Sequence, residues 1–228
     1  MIRSSEIQSV IADEQRFAQA AKNFREKYNA LPGDMTNAEA IWGSDTSCPA
    51  TPYTATPHTA TCNGNGDGVV FGYVLGVDNY ERFRFWQQLA DAGMIEGQYT
   101  GVAGPGDATN HVPGVNSPGP KYPGAAWSTI GHPAPYVGNS SVYDIPSGNF
   151  FEIRAANDPL AGNYPIMPPE DAYLIDSKLD DGLPGTGKVV TYKTTVEPGC
   201  ATSNDSTTAT YDVANGNLTC SLNFVNPF

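Results

Sequence analysis

The fold is decided by the opening stretch of the chain, residues 2–28, which reads IRSSEIQSVIADEQRFAQAAKNFREKY. Its apolar residues are spaced three and four apart, as on one face of an α-helix. They are Ile7, Val10, Ile11, Phe17, Ala21, Phe24 and Tyr28. Pro32 prevents the helix from continuing and Gly33 permits the turn that follows. Because no capping loop precedes the helix, we interpret it as cut, as if the chain once continued further back, and as a spine for something larger.

The composition indicates one domain with many turns. The chain has 228 residues, 24 of them Gly and 19 Pro, which is enough for one sizeable core with long surface connections. Twenty-four Asp and Glu against 12 Lys and Arg give a net charge of -12, which opposes binding to nucleic acid or anionic lipid. Because no long apolar run is present, we expect membrane contact only through a missing segment ahead of residue 2.

The four cysteines fall into two local pairs, Cys48 with Cys62 and Cys200 with Cys220. Sequence alone leaves the connectivity open, as it leaves open the alternative of free thiols. Local pairing is the simplest arrangement, because the flanking residues are polar and typical of loops. Disulfides form in oxidising compartments, so this pattern indicates an exported protein.

Periodicity along the rest of the chain predicts an α+β fold. A short helical piece is expected over residues 37–42. A second helix is expected from a cap at Asp78 through Tyr80 to Gly93, and a third from Pro168 to Gly182. Strands are expected over residues 125–130, 149–155, 188–192 and 218–225. We therefore expect residues 1–30 to form a spine helix on an antiparallel sheet, as one domain with a head of residues 31–228. In the third helix, the side chains expected to face the core are those of Tyr173, Leu174 and Leu179.

Several segments resemble bacterial type IV pilin-like proteins, including the pseudopilins of type II secretion. Residues 24–35, FREKYNALPGDM, resemble the junction between the spine helix and the globular head of that family. Residues 83–101 and 171–189 are similar to two further segments of one of its branches. The pair Cys200 and Cys220 resembles the disulfide-closed loop near the end of many pilins.

This resemblance implies a structural subunit of an extracellular, cell-surface filament rather than an enzyme. It implies self-assembly through the N-terminal helix, with other pilin subunits as partners. Family members also carry a peptidase site and an apolar half-helix with an early glutamate, and the sequence has neither. The resemblance therefore implies that Ile2 onward is the second half of the spine helix and that Met1 is an added start. The resemblance leaves a pilus, a secretion pseudopilus and an uptake filament equally open.

One glycine-rich segment resembles the first half of a calcium-binding loop. Residues 63–68, NGNGDG, place oxygen-bearing side chains at alternate positions. The predicted ligands are Asn63, Asn65 and Asp67, with the carbonyl of Val69. Calcium bound there would suit a surface- or glycan-binding minor or tip subunit.

The same segment departs from a full calcium loop at its far end. Val74 stands where an acidic ligand is needed, so Asp78 or Glu81 would have to supply the charge. The alternative is a structural Gly-Asn turn held by the disulfide of Cys62.

Two further patterns are weaker. Residues 182–188, GLPGTGK, imitate a phosphate-binding loop, but Val189 replaces the required Ser or Thr and a helix precedes the loop, so we expect only a helix stop and a turn. Asp176, Asp180 and Asp181 form either a solvated face or the acid–base pair of a secreted hydrolase.

The histidines and loop aromatics give no specific chemistry. His58, His111 and His132 lack a common ligand spacing, which argues against zinc. The aromatics of the long Gly/Pro-rich loops either stack on sugars or hold those loops to the core. They include Tyr122, Trp127 and Tyr136.

Overall fold

A computed structural model describes residues 2–46, 48, 56–71, 81–106, 109–156 and 165–228, and only the backbone of Ile2 and Arg3. The predicted cap Asp78, the helical residue Tyr80 and the loop residue Val74 lie outside the described residues. The elements, in chain order, are α1 (Ile2–Tyr28), α2 (Ala38–Trp42), α3 (Glu81–Asp91), β1 (Ala125–His132), β2 (Gly148–Ala155), α4 (Pro169–Leu179), β3 (Val189–Val190) and β4 (Leu222–Val225).

The strands form one antiparallel sheet in the order β1-β2-β4-β3. In its register Trp127 lies opposite Ile153, and Phe151 lies opposite Phe224. Because alternate residues of a strand point to opposite sides, these positions give the sheet an aromatic side. The fold is therefore mixed α+β, as the periodicity predicts.

The first helix packs across the aromatic side of the sheet. Phe17 is 1% exposed, and its ring lies 5.0 Å from Trp86 of α3, 5.7 Å from Trp127 of β1 and 6.4 Å from Phe151 of β2, all edge to face. Edge-to-face pairs add about 0.5–1.5 kcal/mol each beyond the area they bury. The predicted apolar face of α1 is the buried one, with only Ile11 and Tyr28 partly exposed.

The opposite side of the sheet is also buried, and it is polar at its centre. Glu152 and Arg154 of β2 are 4% and 3% exposed. The hydroxyl of Tyr192 donates to Glu152 Oε1 at 2.8 Å, and Arg154 Nη1 lies 3.6 Å from Glu152 Oε2. Burial favours the neutral acid, but Arg154 and Arg82 hold the pKa of Glu152 below its usual value.

The last strand is shorter than the sequence predicts. β4 begins at Leu222, and Leu218 is 57% exposed. The intervening Cys220 pairs with Met167 and bonds to Cys200, which takes this part of the chain away from the sheet. β3 is likewise reduced to Val189–Val190.

The buried face of α4 differs from the expectation in part, because Leu174 and Leu179 pack against the core as predicted but Tyr173 does not. Tyr173 is 42% exposed, whereas Asp171 and Asp176 are buried. The hydroxyl of Tyr122 donates to Asp171 Oδ2 at 2.6 Å, and that of Tyr211 donates to Asp176 Oδ2 at 2.9 Å. These partners allow two carboxyls to lie inside, because a buried polar group costs little once it is hydrogen-bonded.

Both local disulfides are present. The Cα atoms are 5.7 Å apart in Cys48–Cys62 and 5.0 Å apart in Cys200–Cys220. This pairing matches the simplest reading of the sequence and is consistent with an exported protein. None of the described helices combines the length and the apolar character needed to cross a bilayer.

Candidate functional site

The glycine-rich loop of residues 63–69 wraps around the carboxylate of Asp34. Asp34 Oδ1 accepts hydrogen bonds from the backbone N–H of Gly66 at 2.7 Å and of Asp67 at 3.1 Å, and Oδ2 accepts one from Gly68 at 3.0 Å. Gly66 and Gly68 have φ of 76° and 86°, which glycine adopts without strain. Successive N–H groups in such a turn form an anion-binding nest. The nest therefore holds a carboxylate of the protein itself.

A second buried carboxylate, Glu81 at the start of α3, binds this loop at Asn65 and the chain just after it at Phe71. Its Oε1 accepts from the N–H of Asn65 and its Oε2 accepts from the N–H of Phe71, both at 3.0 Å. Burial raises the pKa of Glu81 to about 8, and the like charges of Asp34 and Asp67 contribute in the same direction. Burial also raises the pKa of Asp34, against the effect of its backbone hydrogen bonds.

The structure brings two of the predicted calcium ligands together and turns a third away. Asn65 Nδ2 donates to Asp67 Oδ2 at 3.0 Å, and both side chains are exposed. Asn63 Oδ1 instead accepts from the N–H of Glu39 at 3.0 Å, at the start of α2. The N–H of Val69 donates to Asp67 Oδ1 at 2.8 Å. The loop oxygens therefore already accept backbone hydrogen bonds, as in a structural Asx turn.

A polar cleft of about 350 Å³ opens beside this loop, at the end of α1. Its walls include Arg25, Asn29, Asp34, Gly66 and Asn149. Asn149 Oδ1 accepts from the N–H of Val70 at 2.7 Å, so the wall on the sheet side is fixed. The cleft is a defined surface between the helix end, the glycine loop and β2.

The three aspartates at the end of α4 are close together but not equivalent. The carboxylate oxygens of Asp176, Asp180 and Asp181 lie within 4.8 Å of one another, the only such group of three His, Cys, Asp or Glu among the described residues. Asp176 is fully buried, which contradicts a solvated face there, and burial raises its pKa to about 7. Asp176 Oδ1 accepts from the N–H of Gly182 at 3.1 Å.

The segment that imitates a phosphate loop turns its N–H groups toward these aspartates. Asp180 Oδ2 accepts from the N–H of Lys188, and Asp181 Oδ1 accepts from the N–H of Leu183 at 2.9 Å. The Thr186 hydroxyl donates to Asp181 Oδ2 at 2.7 Å. Carboxylates thus take the place that a phosphate would need, and the segment is a helix stop and a turn, as expected.

Two of the aromatics considered for sugar stacking belong to the core, Trp127 on β1 and Tyr122 just before that strand. Trp127 is fully buried and Tyr122 is 7% exposed, so neither offers a sugar-stacking face. His111 is also buried, and burial lowers its pKa well below the usual value, with Arg154 and Arg82 acting in the same direction. His132 packs on Tyr136, with ring centroids 4.5 Å apart.

The outward side of α1 is a continuous exposed stripe. Its members are spaced alternately four and three apart and are all exposed: Gln8, Ala12, Gln15, Gln19, Lys22 and Glu26. Such a spacing keeps the residues on one side of a helix through its whole length. One side of α1 is therefore fixed in the core while the other is available for contacts with other molecules.

Sequence reasoning missed Asp34 and gave Glu81 only a secondary role. A sequence signal for Asp34 exists in the quoted junction, where Gly33-Asp34 follows Pro32 at the end of the spine helix. That signal marks a turn, but it does not identify the loop that the carboxylate binds 32 to 34 residues away. Comparison with protein families, curated proteins and solved structures gives no match. Function is therefore argued from the resemblance in the sequence and from the geometry.

Proposed function

We propose that the chain is a structural, non-enzymatic subunit of an extracellular filament of the type IV pilin or pseudopilin class, assembled through α1. The observation that carries the proposal is the two-sided character of α1. Phe17 is buried against the sheet, whereas Gln15, Gln19 and Lys22 are exposed on the outward side. A long helix with a free side can be shared between neighbouring copies without unfolding the head.

Other features support this role. The two disulfides suit an extracellular location. The net charge of -12 disfavours nucleic acid and anionic membranes as partners. The full burial of Asp176, whose carboxylate oxygens accept hydrogen bonds from Gly182 and Tyr211, argues against a hydrolase that uses this residue on a substrate.

The test is immunogold electron microscopy of the cells that produce the protein, with antibodies raised against the purified chain. We expect gold particles in rows along surface filaments, and loss of those filaments when the gene is deleted. Gold on no filament in cells whose extracts contain the chain would overturn the proposal. Pre-immune serum is the control.

A calcium-assisted surface- or glycan-binding subunit is the second candidate. The observation that favours it is the convergence of Asp34, Asp67 and Glu81 on one glycine loop, where burial raises the pKa of Glu81 and the like charges of Asp34 and Asp67 add to that rise. A divalent cation would relieve this repulsion. Calorimetric titration with calcium tests it, with Asp67→Asn expected to abolish the heat and Asp212→Asn to leave it unchanged. A flat titration of the unaltered chain, together with a glycan array that shows no binding, would dispose of this candidate.

A further inference from the structure

A groove of about 340 Å³ runs beside α1, between the helix and the sheet edge that carries β3 and β4. Its lining includes Gln15, Ala18 and Lys22 of α1, together with Leu179, Lys188 and Phe224. Ala18 and Phe224 are 7% and 2% exposed, so the floor is apolar and fixed in the core. The groove is continuous with the exposed stripe of α1 through Gln15, Gln19 and Lys22.

The groove carries positive charge on a strongly acidic molecule. Lys22 and Lys188 are both exposed on its rim, and neither forms an ion pair within the part of the chain that the structure describes. Glu14 also lines the groove, and burial raises its pKa while both lysines oppose that rise. The two lysine charges therefore act inside the groove.

The other exposed cations of the described residues are scattered, at Arg16, Arg25, Lys27, Lys121 and Lys178. Only 12 of its residues are Lys or Arg, against 24 Asp and Glu. Three of the cations, Arg82, Arg84 and Arg154, are buried. Exposed and half-buried carboxylates together still outnumber the cations, and they include the exposed Asp67, Asp181 and Asp205. Two copies of such a molecule repel each other unless a cationic surface of one meets an acidic surface of the other.

We propose that the Lys22–Lys188 groove binds the acidic surface of a second copy of this chain. The proposal rests on the filament role, in which copies of the chain lie side by side. The groove of one copy and the acidic surface of the next are different patches, so the contact is heterologous and can repeat without closing. The apolar floor removes water from the contact, which strengthens the pairing of lysine with carboxylate.

The first experiment measures self-association of the 228-residue chain by sedimentation velocity at low and at high salt. We expect association at low salt that disappears at high salt, because the contact depends on charge. Lys22→Glu combined with Lys188→Glu is expected to weaken association about tenfold or more. The matched control is Lys27→Glu combined with Lys121→Glu, which changes the net charge equally but lies outside the groove lining, and it is expected to change association less than about threefold.

The second experiment locates the contact. Equal amounts of protein with natural isotopes and with ¹⁵N are mixed and treated with a carbodiimide, which joins a lysine to a touching carboxylate as an amide. Peptide pairs that combine the two isotopes come from two copies. We expect such pairs to begin at Lys22 and Lys188 and to be rare at Lys27 and Lys121.

Three results would overturn the groove proposal. They are a chain that stays monomeric at low salt, equal effects of the two double variants, and mixed-isotope links that avoid Lys22 and Lys188. If the groove bound an acidic peptide and not a second copy, the chain would stay monomeric at low salt. If gold still labels filaments on producing cells, the filament role stands although the groove proposal fails. If the chain associates in a salt-sensitive way but gold labels no filament, the filament role fails and the groove proposal stands.

Discussion

At the scale of single residues, the most consequential group is the carboxylate of Asp34. It is 4% exposed and accepts hydrogen bonds from three consecutive N–H groups, those of Gly66, Asp67 and Gly68. The Asp34 carboxylate takes the part that a phosphate or sulfate plays in other glycine-rich loops. Because Asp34 follows soon after the end of α1, its hydrogen bonds connect that end to a loop far along the sequence.

Asp34→Asn should therefore destabilise the protein by about 2–4 kcal/mol, since one carboxylate oxygen becomes an amide donor that faces N–H groups. Urea unfolding followed by circular dichroism measures this loss. The matched control is Asp212→Asn, the same chemical change on a side chain outside the glycine loop, which should shift stability by less than about 0.5 kcal/mol. Equal effects of the two changes would contradict the role assigned to Asp34.

Glu81 should make stability depend on pH in a defined direction. Its pKa is raised to about 8 in the folded protein, above the value of about 4.3 in an unfolded chain. Its contribution is therefore fully present below about pH 4.3 and is lost as the pH rises through 8. Glu81→Gln should gain about 4 kcal/mol in the free energy of unfolding, relative to the unaltered protein, between pH 5 and pH 9. Unfolding curves at the two pH values measure the change, and a constant difference would refute it.

Single-residue roles were the hardest to predict from the sequence. The alternate spacing of residues 63, 65 and 67 predicts one set of calcium ligands. In the structure, Asn63 Oδ1 instead accepts a hydrogen bond from the N–H of Glu39 at the start of α2. Alternation along a loop shows which residues can supply oxygen, whereas the direction of each side chain depends on elements that approach from elsewhere. The proposed calcium site therefore stays a prediction.

At the scale of elements, α1 was predictable because its periodicity is long and uninterrupted. It spans Ile2–Tyr28, as the pattern of residues 2–28 indicates. α3 begins at Glu81 and β2 ends at Ala155, close to their predicted limits. Apolar spacing over several turns or strand positions reports burial directly, so elements of this kind are visible without tertiary information.

The misjudged elements are those that tertiary contacts reshape. The sequence around Leu218 has strand-like residues, but Cys220 is bonded to Cys200 and paired with Met167, which delays β4 to Leu222. Charge patterning placed Asp176 on a solvated face, whereas a hydrogen bond from Tyr211 lets it lie inside. Partners that are distant in sequence cannot be read from local periodicity.

The packing of α1 on the sheet gives a prediction for that element. Phe17→Ala should cost about 3–5 kcal/mol, because it removes a fully buried ring from between Trp86, Trp127 and Phe151. Gln19→Ala, two residues further along on the exposed side, should change stability by less than about 0.5 kcal/mol. Urea unfolding of both variants provides the measurement, and a small effect of Phe17→Ala would show that α1 is only loosely attached.

At the scale of the whole molecule, acid groups in the interior govern the response to pH. Burial raises the pKa values of Asp91, Asp176 and Glu197 to about 7. Each then favours folding at acid pH and stops doing so as the pH rises through 7. His111, with its lowered pKa, acts in the opposite direction, because below about pH 6.5 the unfolded chain binds a proton that the folded chain does not. The two trends place maximum stability on the acid side of neutrality.

The melting temperature should therefore fall steadily between about pH 5.5 and pH 9. Glu197→Gln should flatten this slope, because Glu197 is 1% exposed and one of the groups whose proton is lost. Differential scanning calorimetry at constant ionic strength measures both slopes. A melting temperature that rises toward pH 9 would contradict the assignment.

The anchoring of α1 at Phe17 has a mechanical consequence. The helix is about 40 Å long at 1.5 Å per residue, and its buried rings sit in the centre of the head rather than at a hinge. Tension along the helix axis therefore loads many interlocked side chains together in shear. The domain should therefore resist pulling up to a high force and then yield abruptly, which optical tweezers attached at the start of α1 and at the C-terminal Phe228 would record.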